Sequence, residues 1–575
     1  MKTVFSYAKS YKLFIAIALF LMLLELTVEL LQPLVIAKII DDGIIAGDRG
    51  QIVEYGFLLL GLSAIAFLSG ITNSYFASHV SQSFSFDLRK AVYGRIQSFS
   101  LATFNKFPAS GLITRLTSDV TMVQTVLFMG LRIMLRAPLL VIGSIAMAFV
   151  VNAELAVYLV IVFPVLLIFL YVMVKQGVKY FSFVQQRLDR LNRMVQENLQ
   201  AVRLIKAYLR GKYEATRFSE VAGSLKTDTV KAFRIMEIIL PVLLFGMNLS
   251  LLAVLWFGAG QIRQGGAEIG ELVAIVNYAM RMTGAFSMFS FIIMAFARAK
   301  ASSERIEEVL LATDVREKGE SGETNVLTRG EVVFKNVSFT YPGTDREVLH
   351  NISFRLEPNE KLAIMGATGS GKSSLLQLIP RFYDATEGNV QIHGRDVKDW
   401  SLRSLRKTIG IVPQQSMLFT GTISNNLSWG KEGAEQPELA GAAAKAQIHE
   451  TVERFPKGYE TRVGQKGVNL SGGQKQRLSI ARALVRKPSV LILDDSTSAL
   501  DVKTEAALWE ELEREHATML MVTQKIRTAM KADRILLLED GRISAYGTHQ
   551  ELLQTSVLYR QIAESQQEQE VDEYV

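Results

Sequence analysis

Long apolar runs fill the first 300 residues of the chain. A helix needs about 20 apolar residues to cross the hydrocarbon core of a bilayer. The pattern predicts membrane helices centred on 13–35, 55–77, 127–151, 154–174, 236–260 and 271–296. The first run follows a basic start, as a signal peptide would, but it stays apolar to about Ile40 without a small-residue cleavage site. We therefore expect a membrane helix there as well.

The polar segments between these runs alternate between short and long. The long segments, 78–126 and 175–235, are helix-patterned and rich in Lys and Arg, whereas the short connections carry few basic residues. Positively charged segments stay in the cytoplasm. We therefore expect a multi-pass protein of the cytoplasmic membrane, with both termini, the long segments and the second domain inside the cell. The helices would extend beyond the bilayer as stalks.

Each long segment must turn back on itself. "LATFNKFP", residues 101–108, is followed by Gly111, and "AYLRGKYE", residues 207–214, contains Gly211; Pro and Gly at these places predict breaks in the helix. These turns are either simple loops or contacts with another domain. The aromatic side chains that suit such contacts are Phe104, Phe107, Tyr208 and Tyr213.

Charged side chains also lie inside the predicted membrane helices, where they are costly and often functional. Glu25 and Glu29 share one face of the first helix, because they are four residues apart. The others are Arg132, Arg136, Glu237 and Arg281. These groups could contact cargo, pair with one another or reach the lipid headgroups.

The second part of the chain has the pattern of a globular α/β domain, with alternating strands from about Gly330. We predict a membrane α-helical domain over 1–310, a charged linker over 311–328 and an α/β domain over 329–575. The acidic tail "ESQQEQEVDEYV" is predicted to be disordered.

Composition narrows the chemistry. The chain of 575 residues has no cysteine, which excludes disulfides, thiol catalysis and cysteine-bound metals. Its formal charge of +7 fits anchoring at the cytoplasmic face of a lipid bilayer better than nucleic-acid binding, and we expect no nucleic acid as a partner.

A phosphate-binding motif follows the apolar strand "KLAIM". The sequence "MGATGSGKSS" matches G-x-x-x-x-G-K-[ST] at Gly366, Gly371, Lys372 and Ser373. Glycines let backbone N–H groups close around phosphates, Lys372 can reach the β- and γ-phosphates, and the Ser373 hydroxyl can bind Mg²⁺. The rest of the predicted loop consists of Thr368, Gly369, Ser370 and Ser374.

Two further stretches belong with this motif. "SVLILDD" predicts a buried strand that ends at Asp494, a second ligand for magnesium. "LSGGQKQR", Leu470–Arg477, combines small residues with a predicted helix start, where backbone N–H groups bind anions.

Taken together, these motifs and the six apolar runs resemble the ATP-binding cassette (ABC) family, and within it an exporter half-transporter. The resemblance covers essentially the whole chain and implies ATP and Mg²⁺ as cofactors. It implies that Tyr341 stacks on adenine and that Gln414 senses the magnesium and the attacking water. The signature residues that would bind the γ-phosphate held by an opposite subunit are Ser471, Gly472, Gly473 and Gln474.

The chain departs from the family pattern where hydrolysis occurs. Asp495 stands where a catalytic glutamate is usual, and its carboxylate falls about 1.5 Å short; a displacement of about 1 Å can cost a hundredfold in rate. Gln524 replaces a histidine and cannot become cationic. Gln465 also replaces an acidic residue. This pattern resembles the degenerate-site subunit of bacterial heterodimeric multidrug exporters, so a second, different half-transporter is the expected partner.

The expected function is ATP-driven export of hydrophobic or amphiphilic small molecules, with drugs as the first candidates. The alternative within the family is a homodimer with slow ATPase that exports lipids or peptides. The apolar spans argue against a soluble ABC protein. The presence of membrane and cassette parts on one chain argues against an importer, which usually keeps them on separate chains. A gated channel would share the same architecture.

Overall fold

The computed structural model describes residues 1–312 and 330–573 of the chain. These residues form two units, one of 1–98 with 107–312 and one of 99–106 with the chain from 330 onward. The predicted linker lies outside the described residues from position 313 onward.

The first unit is entirely helical. Its α-helices are α1 Lys2–Ser6, α2 Lys12–Lys38, α3 Arg49–Gln97, α5 Ala109–Thr114, α6 Val120–Met129, α7 Arg136–Val151, α8 Ala153–Gln200, α9 Val202–Ala207, α10 Gly211–Glu237, α11 Ile239–Arg263 and α12 Ile269–Leu311, while α4 Leu101–Phe104 belongs to the second unit. A 3₁₀-helix at Tyr7–Tyr11 and π-helical turns at Ile39–Ile45, Arg115–Asp119 and Gly130–Met134 connect some of them.

In the part of the chain that the structure describes, six helical stretches are long and apolar enough to cross a membrane, as the sequence predicts. They are Lys2–Ile45, Arg49–Gln97, Ala109–Val151, Ala153–Gln200, Gly211–Arg263 and Ile269–Leu311. At about 1.5 Å per residue, the 49 residues of α3 span about 70 Å, more than twice the hydrocarbon core. The predicted extension of the helices beyond their apolar parts is therefore present.

The two turns differ in detail from the prediction. Pro108 ends the first turn and precedes α5, but Gly111 lies inside that helix and does not break it. In the second turn α9 ends at Ala207, and Leu209 adopts a left-handed φ of 55° before α10 begins at Gly211.

Residues 99–106 form part of the second unit through aliphatic and amide contacts. Leu101 packs against the core that contains Phe339, and Asn105 Nδ2 donates to the hydroxyl of Tyr383 at 2.8 Å. Phe104 stays 38 % exposed, and the ring of Phe107 lies 5.2 Å from the guanidinium of Arg115 in the first unit. The contact of this turn therefore uses Leu101 and Asn105, where aromatic side chains were expected.

The described residues of the second unit form three sheets. Its strands are β1 Val332–Thr340, β2 Glu347–Leu356, β3 Lys361–Met365, β4 Glu387–Ile392, β5 Arg395–Asp396, β6 Ile409–Val412, β7 Gly421–Thr422, β8 Arg462–Val463, β9 Val490–Asp494, β10 Thr518–Val522, β11 Arg534–Glu539 and β12 Arg542–Gly547. The sheet orders are β2-β1-β4-β5, β12-β11-β3-β10-β9-β6 and β7-β8.

Helices cover the sheets. They are α13 Lys372–Leu378, α14 Leu402–Thr408, α15 Ile423–Ser428, α16 Gln436–Lys445, α17 His449–Glu453, α18 Gly472–Val485, α19 Val502–Glu513, α20 Ile526–Ala529, α21 His549–Thr555 and α22 Val557–Glu573. Every residue of β10 is buried, as expected of a central parallel strand covered on both faces. The predicted α/β domain is confirmed.

The tail is more ordered than its composition predicts. Helix α22 continues to Glu573, so the expected disorder of "ESQQEQEVDEYV" is wrong for its described residues. Tyr559 and Ala563 are buried in the core of the second unit, and they anchor the start of the helix that carries the polar sequence.

A buried carboxylate joins two helical extensions of the first unit. Asp119, only 3 % exposed, ends the π-helical turn Arg115–Asp119. It accepts hydrogen bonds from Ser302 Oγ at 2.8 Å and from Arg305 Nε at 2.9 Å, both on α12. A buried carboxylate needs such partners, because burial removes its water.

We predict that Asp119→Ala destabilises this unit by about 2 kcal/mol, because it removes charge-assisted hydrogen bonds and leaves Arg305 without this carboxylate. The measurement is the apparent midpoint of thermal unfolding in detergent. The matched control is Asp189→Ala, which removes an exposed carboxylate that accepts from Gln185 at 3.0 Å. Equal shifts in the two variants would contradict the structural role of Asp119.

Candidate functional site

The site is built where parallel strands end at one edge of the six-stranded sheet. Strands β3, β10, β9 and β6 are neighbours and run parallel. The loop Gly366–Gly371 follows β3, Gln524 follows β10, Asp494 ends β9 and Gln414 follows β6. Parallel strands that are in contact bring their carboxyl ends together, and ligands bind there in open α/β sheets.

The loop after β3 has places that only glycine can fill. Gly366 has φ 149°, and a Cβ there would lie 2.1 Å from the carbonyl oxygen of Leu538. Gly371 has φ 101° and caps α13; a Cβ there would lie 2.7 Å from Leu349 Cδ2. Gly369 is also left-handed, with φ 86°. These glycines let the backbone fold tightly enough to present its N–H groups.

Lys372 lies at the centre of this loop. Its ammonium donates to the carbonyl oxygens of Gly366 at 2.9 Å and Ala367 at 2.7 Å. Burial lowers the pKa of Lys372, while the charges of Asp494 and Asp495 act in the opposite direction. The position is suited to a cation that meets a phosphate.

Ser373 and Asp494 form an oxygen pair next to Lys372. Ser373 Oγ lies 3.4 Å from Asp494 Oδ1. Burial raises the pKa of Asp494, and the charge of Asp495 adds to this, whereas the Ser373 hydrogen bond and Lys372 lower it. A hydroxyl beside a carboxylate is the kind of oxygen set that Mg²⁺ takes, usually together with phosphate oxygens and waters. Within the described residues Ser370 Oγ is buried without a hydrogen-bond partner, and Ser370 is not among the residues that line the cavity at this site.

These side chains line one cavity of about 210 Å³. The predicted residues in its wall are Thr368, Gly369, Gly371, Lys372, Ser373, Ser374, Gln414, Asp494, Asp495 and Gln524. The two unusual residues thus lie in the same cavity as the phosphate-binding loop. Asp495 adopts a left-handed φ of 47°, and its N–H donates to the carbonyl of Val522 at 3.2 Å. Asp tolerates this conformation better than most residues.

Tyr341 lies beside the start of α13. Its hydroxyl is 2.8 Å from Ser374 Oγ, and its ring meets the ring of Tyr383 edge-on at 5.2 Å. The structure therefore places this aromatic ring next to the start of α13, in contact with the ring of Tyr383.

The signature residues do not line that cavity. Ser471 caps α18, its hydroxyl accepts from Gln474 N–H at 3.3 Å, and the Gln474 side chain accepts from Ser471 N–H at 2.9 Å. A Cβ on Gly473 would lie 3.0 Å from the carbonyl oxygen of Ala499, and one on Gly472 3.6 Å from Ala499 Cβ. Gly473 thus allows α18 to approach the loop Ser498–Asp501 closely, whereas a side-chain Cβ at Gly472 would make an ordinary contact, and Gln474 is used as a cap.

Sequence reasoning missed three polar side chains that hold the loops of the site. Gln566 on α22 accepts from Ile526 N–H at 2.8 Å and donates to the carbonyl of Gln524 at 2.7 Å. Gln476 accepts from Ala499 N–H at 3.0 Å and donates to Ser498 Oγ at 3.2 Å.

Glu505 is the third of these side chains. It accepts from Thr497 Oγ1 at 2.8 Å and from Lys525 Nζ at 2.7 Å, so it joins the loop after β9 to the segment that carries Gln524. Burial acts to raise its pKa, but the hydrogen bonds of Lys525 and Thr497 outweigh it, and the pKa is lowered. The signal for Glu505 was an acidic residue on the apolar face of a helix directly after the motif; Gln566 had no local signal.

Both parts of the chain match known families. The model of the ABC transporter transmembrane region matches residues 15–286, and the ABC transporter model matches residues 349–498. The chain is 52 % identical over 566 residues to the uncharacterized ABC transporter ATP-binding protein YfiB of Bacillus subtilis, with 98 % of each chain covered. It is 33 % identical over 508 residues to the ATP-dependent lipid A-core flippase of Pseudomonas putida, covering 88 % of this chain and 84 % of the flippase.

A solved structure shows the same fold. The structure of a bacterial Atm1-family ABC exporter with ATP bound superposes with a TM-score of 0.81 at 24 % identity, covering 96 % of this chain and 98 % of that one. The strand-end site and the six apolar helices agree with these matches. The chain belongs to the ABC transporter family and carries one transmembrane region and one ATP-binding domain on an ABC exporter fold.

Proposed function

We propose that this chain is one half of a heterodimeric exporter that moves amphiphilic compounds, drugs among them, out of the cell across the cytoplasmic membrane. Its own ATP site is the slow one of two. Its signature, Ser471–Gln474, completes the hydrolytic site of a different half-transporter. The proposal rests on one observation above all: Asp495 and Gln524 line the same cavity as Lys372.

The residues of the cavity fit MgATP. Lys372 and the loop Gly366–Gly371 would hold the phosphates, and Tyr341 would meet the adenine. Ser373, Asp494 and Gln414 would hold Mg²⁺, which neutralises the charge on the β- and γ-phosphates.

Hydrolysis is where this site is weak. It requires a group that orients or deprotonates the attacking water. Asp495 offers a carboxylate on a shorter side chain, and Gln524 offers hydrogen bonds without the positive charge that a histidine can supply. Binding can therefore be tight while cleavage is slow.

Transport follows from a difference in ATP affinity between two states. ATP bound between two cassettes favours the closed pair, and the helical extensions carry that closure to the membrane helices. A ligand can shift such an equilibrium only by its differential affinity for the two states. Hydrolysis at the partner's site then resets the pair.

We predict little ATPase activity from the purified chain alone and brisk activity after pairing with its partner half-transporter. Ser471→Ala in the pair should lower turnover sharply, because the signature serves the partner's site. The control is Ser401→Ala, which removes the same kind of helix cap, since Ser401 Oγ accepts from Ser404 N–H at 3.2 Å. Brisk ATPase from the chain alone that Lys372→Ala abolishes would mean that Asp495 and Gln524 support hydrolysis, and would overturn the heterodimer.

We also predict that Asp495→Glu together with Gln524→His accelerates hydrolysis at this chain's site by about a hundredfold, because the longer carboxylate reaches the water. The measurement is single-turnover cleavage of ATP in a pair whose partner carries a P-loop lysine-to-alanine change. Asp494→Glu alters the metal-binding carboxylate instead and should lower the rate. No gain from the double change would show that these two residues do not limit hydrolysis.

Gln566→Ala should weaken ATP binding at this chain's site several-fold, because it frees the backbone on both sides of Lys525 at about 1 kcal/mol per hydrogen bond. Titration with a fluorescent ATP analogue measures this. Gln566→Glu can accept from Ile526 but cannot donate to Gln524, so it should be intermediate. Gln561→Ala, an exposed change on the same helix, is the control; an equal effect from it would contradict the positioning role.

A further inference from the structure

Four charged side chains meet inside the membrane helices of the first unit. Arg136 Nη1 donates to Glu25 Oε1 at 2.8 Å, and Arg136 Nη2 donates to Glu29 Oε2 at 2.7 Å. Arg281 Nη1 lies 3.1 Å from Glu29 Oε1, and its Nη2 donates to Gln32 Oε1 at 3.1 Å. Helices α2, α7 and α12 are thus joined by one polar network.

The ion pairs offset the cost of removing these charges from water, but they do not use all of the hydrogen-bond donors of the two arginines. Charges in a bilayer are costly unless they are paired or face a polar cavity. A guanidinium has five N–H groups. The contacts among the described residues use the Nη atoms of Arg136 and Arg281, which leaves the Nε–H of each as a donor for something else.

A cavity of about 320 Å³ lies against this network. Its charged wall consists of Glu29, Arg136 and Arg281, and Ile133, Leu140 and Met288 are among its apolar residues. Glu25 pairs with Arg136 but is not part of the wall. The two arginines and two glutamates of the network sum to zero charge, but the wall itself presents two guanidinium groups and one carboxylate beside an apolar surface, with Glu25 behind Arg136.

We propose that this cavity binds the anionic headgroup of an amphiphilic cargo, a carboxylate or a phosphate, while the apolar wall holds the adjoining chain. The proposal names the substrate class within the proposed export function and rests on it. Guanidinium groups recognise carboxylate and phosphate through paired N–H bonds. A cationic headgroup that approached Glu29 would also meet the charges of Arg136 and Arg281, which disfavour it.

The charge of the network gives two substitutions with opposite expected effects. Arg281→Gln brings the net charge of the four-residue network from 0 to −1 and should weaken binding of an anion. Glu29→Gln brings it from 0 to +1 and should strengthen binding. If the network only held the helices together, both changes would break the same 3.1 Å contact and act in the same direction.

The test uses the full transporter in lipid nanodiscs and measures stimulation of ATPase, relative to each variant's own basal rate, against amphiphile concentration. The probes share one acyl chain: oleoyl lysophosphatidic acid (anionic phosphate), oleate (anionic carboxylate), oleoyl lysophosphatidylcholine (zwitterionic) and oleylamine (cationic). Intrinsic fluorescence on titration with the same probes measures binding without turnover. Arg263→Gln, an exposed change at the end of α11, is the control.

We expect at least one anionic probe to act at concentrations roughly tenfold below the zwitterion and the cation, since a hydrogen bond to a charged group is worth about one power of ten in affinity. Arg281→Gln should raise its half-maximal concentration by about that factor, Glu29→Gln should lower it, and Arg263→Gln should not change it.

Two results would overturn the proposal in distinguishable ways. Equal or better potency of the cation, or shifts in the same direction for Arg281→Gln and Glu29→Gln, would contradict the proposed anion site. The proposal that the protein exports amphiphiles would still stand. If the protein shows Lys372-dependent ATPase activity but neither binds nor responds to any of the four probes, both the proposed anion site and the proposed export of amphiphiles are contradicted.

Discussion

The parallel pairing of β3, β10, β9 and β6 is the constraint on which the ATP site depends. Each strand delivers one chemical part at the same edge: a glycine loop with Lys372, Gln524, the pair Asp494 and Asp495, and Gln414. A slip in register of one residue would turn side chains to the other face of a strand. The observed register pairs Val522 with Ile364 of β3 and with Asp494 of β9, which brings the ends of these strands level.

The loops beyond these strands are held by side chains from other helices. Glu505 joins the loop after β9 to the segment after β10, Gln566 holds that segment from α22, and Gln476 holds the loop Ser498–Asp501 against α18. These hydrogen bonds reach the loops of Asp495 and Gln524 through neighbouring residues and the backbone. Under the proposed function, the two side chains can therefore differ from the family pattern while their loops keep their positions.

Local patterns predicted much of this structure. The six apolar helices, the glycine loop and Asp494 at a strand end follow from periodicity and spacing, because short-range physics sets them. The partners of Glu29 and the bonds of Gln566 depend on contacts between residues far apart in the chain, which one sequence without relatives cannot reveal. The tail was misjudged for the same reason: its composition is polar, but Tyr559 anchors it from the core.

Both units contain buried polar or charged groups, whose burial is unfavourable unless another group pairs with them. In the membrane helices, Arg136 and Arg281 pair with Glu29; at the strand ends, a bound nucleotide is proposed to meet Lys372.

The central claim is that this chain's site holds ATP while its partner's site cleaves it. The most direct measurement is photolabelling of the turning-over pair with 8-azido-ATP that carries the label on either the α- or the γ-phosphate. The account predicts that this chain keeps both labels while the partner keeps only the α-label. Loss of the γ-label from this chain as fast as from its partner would contradict it.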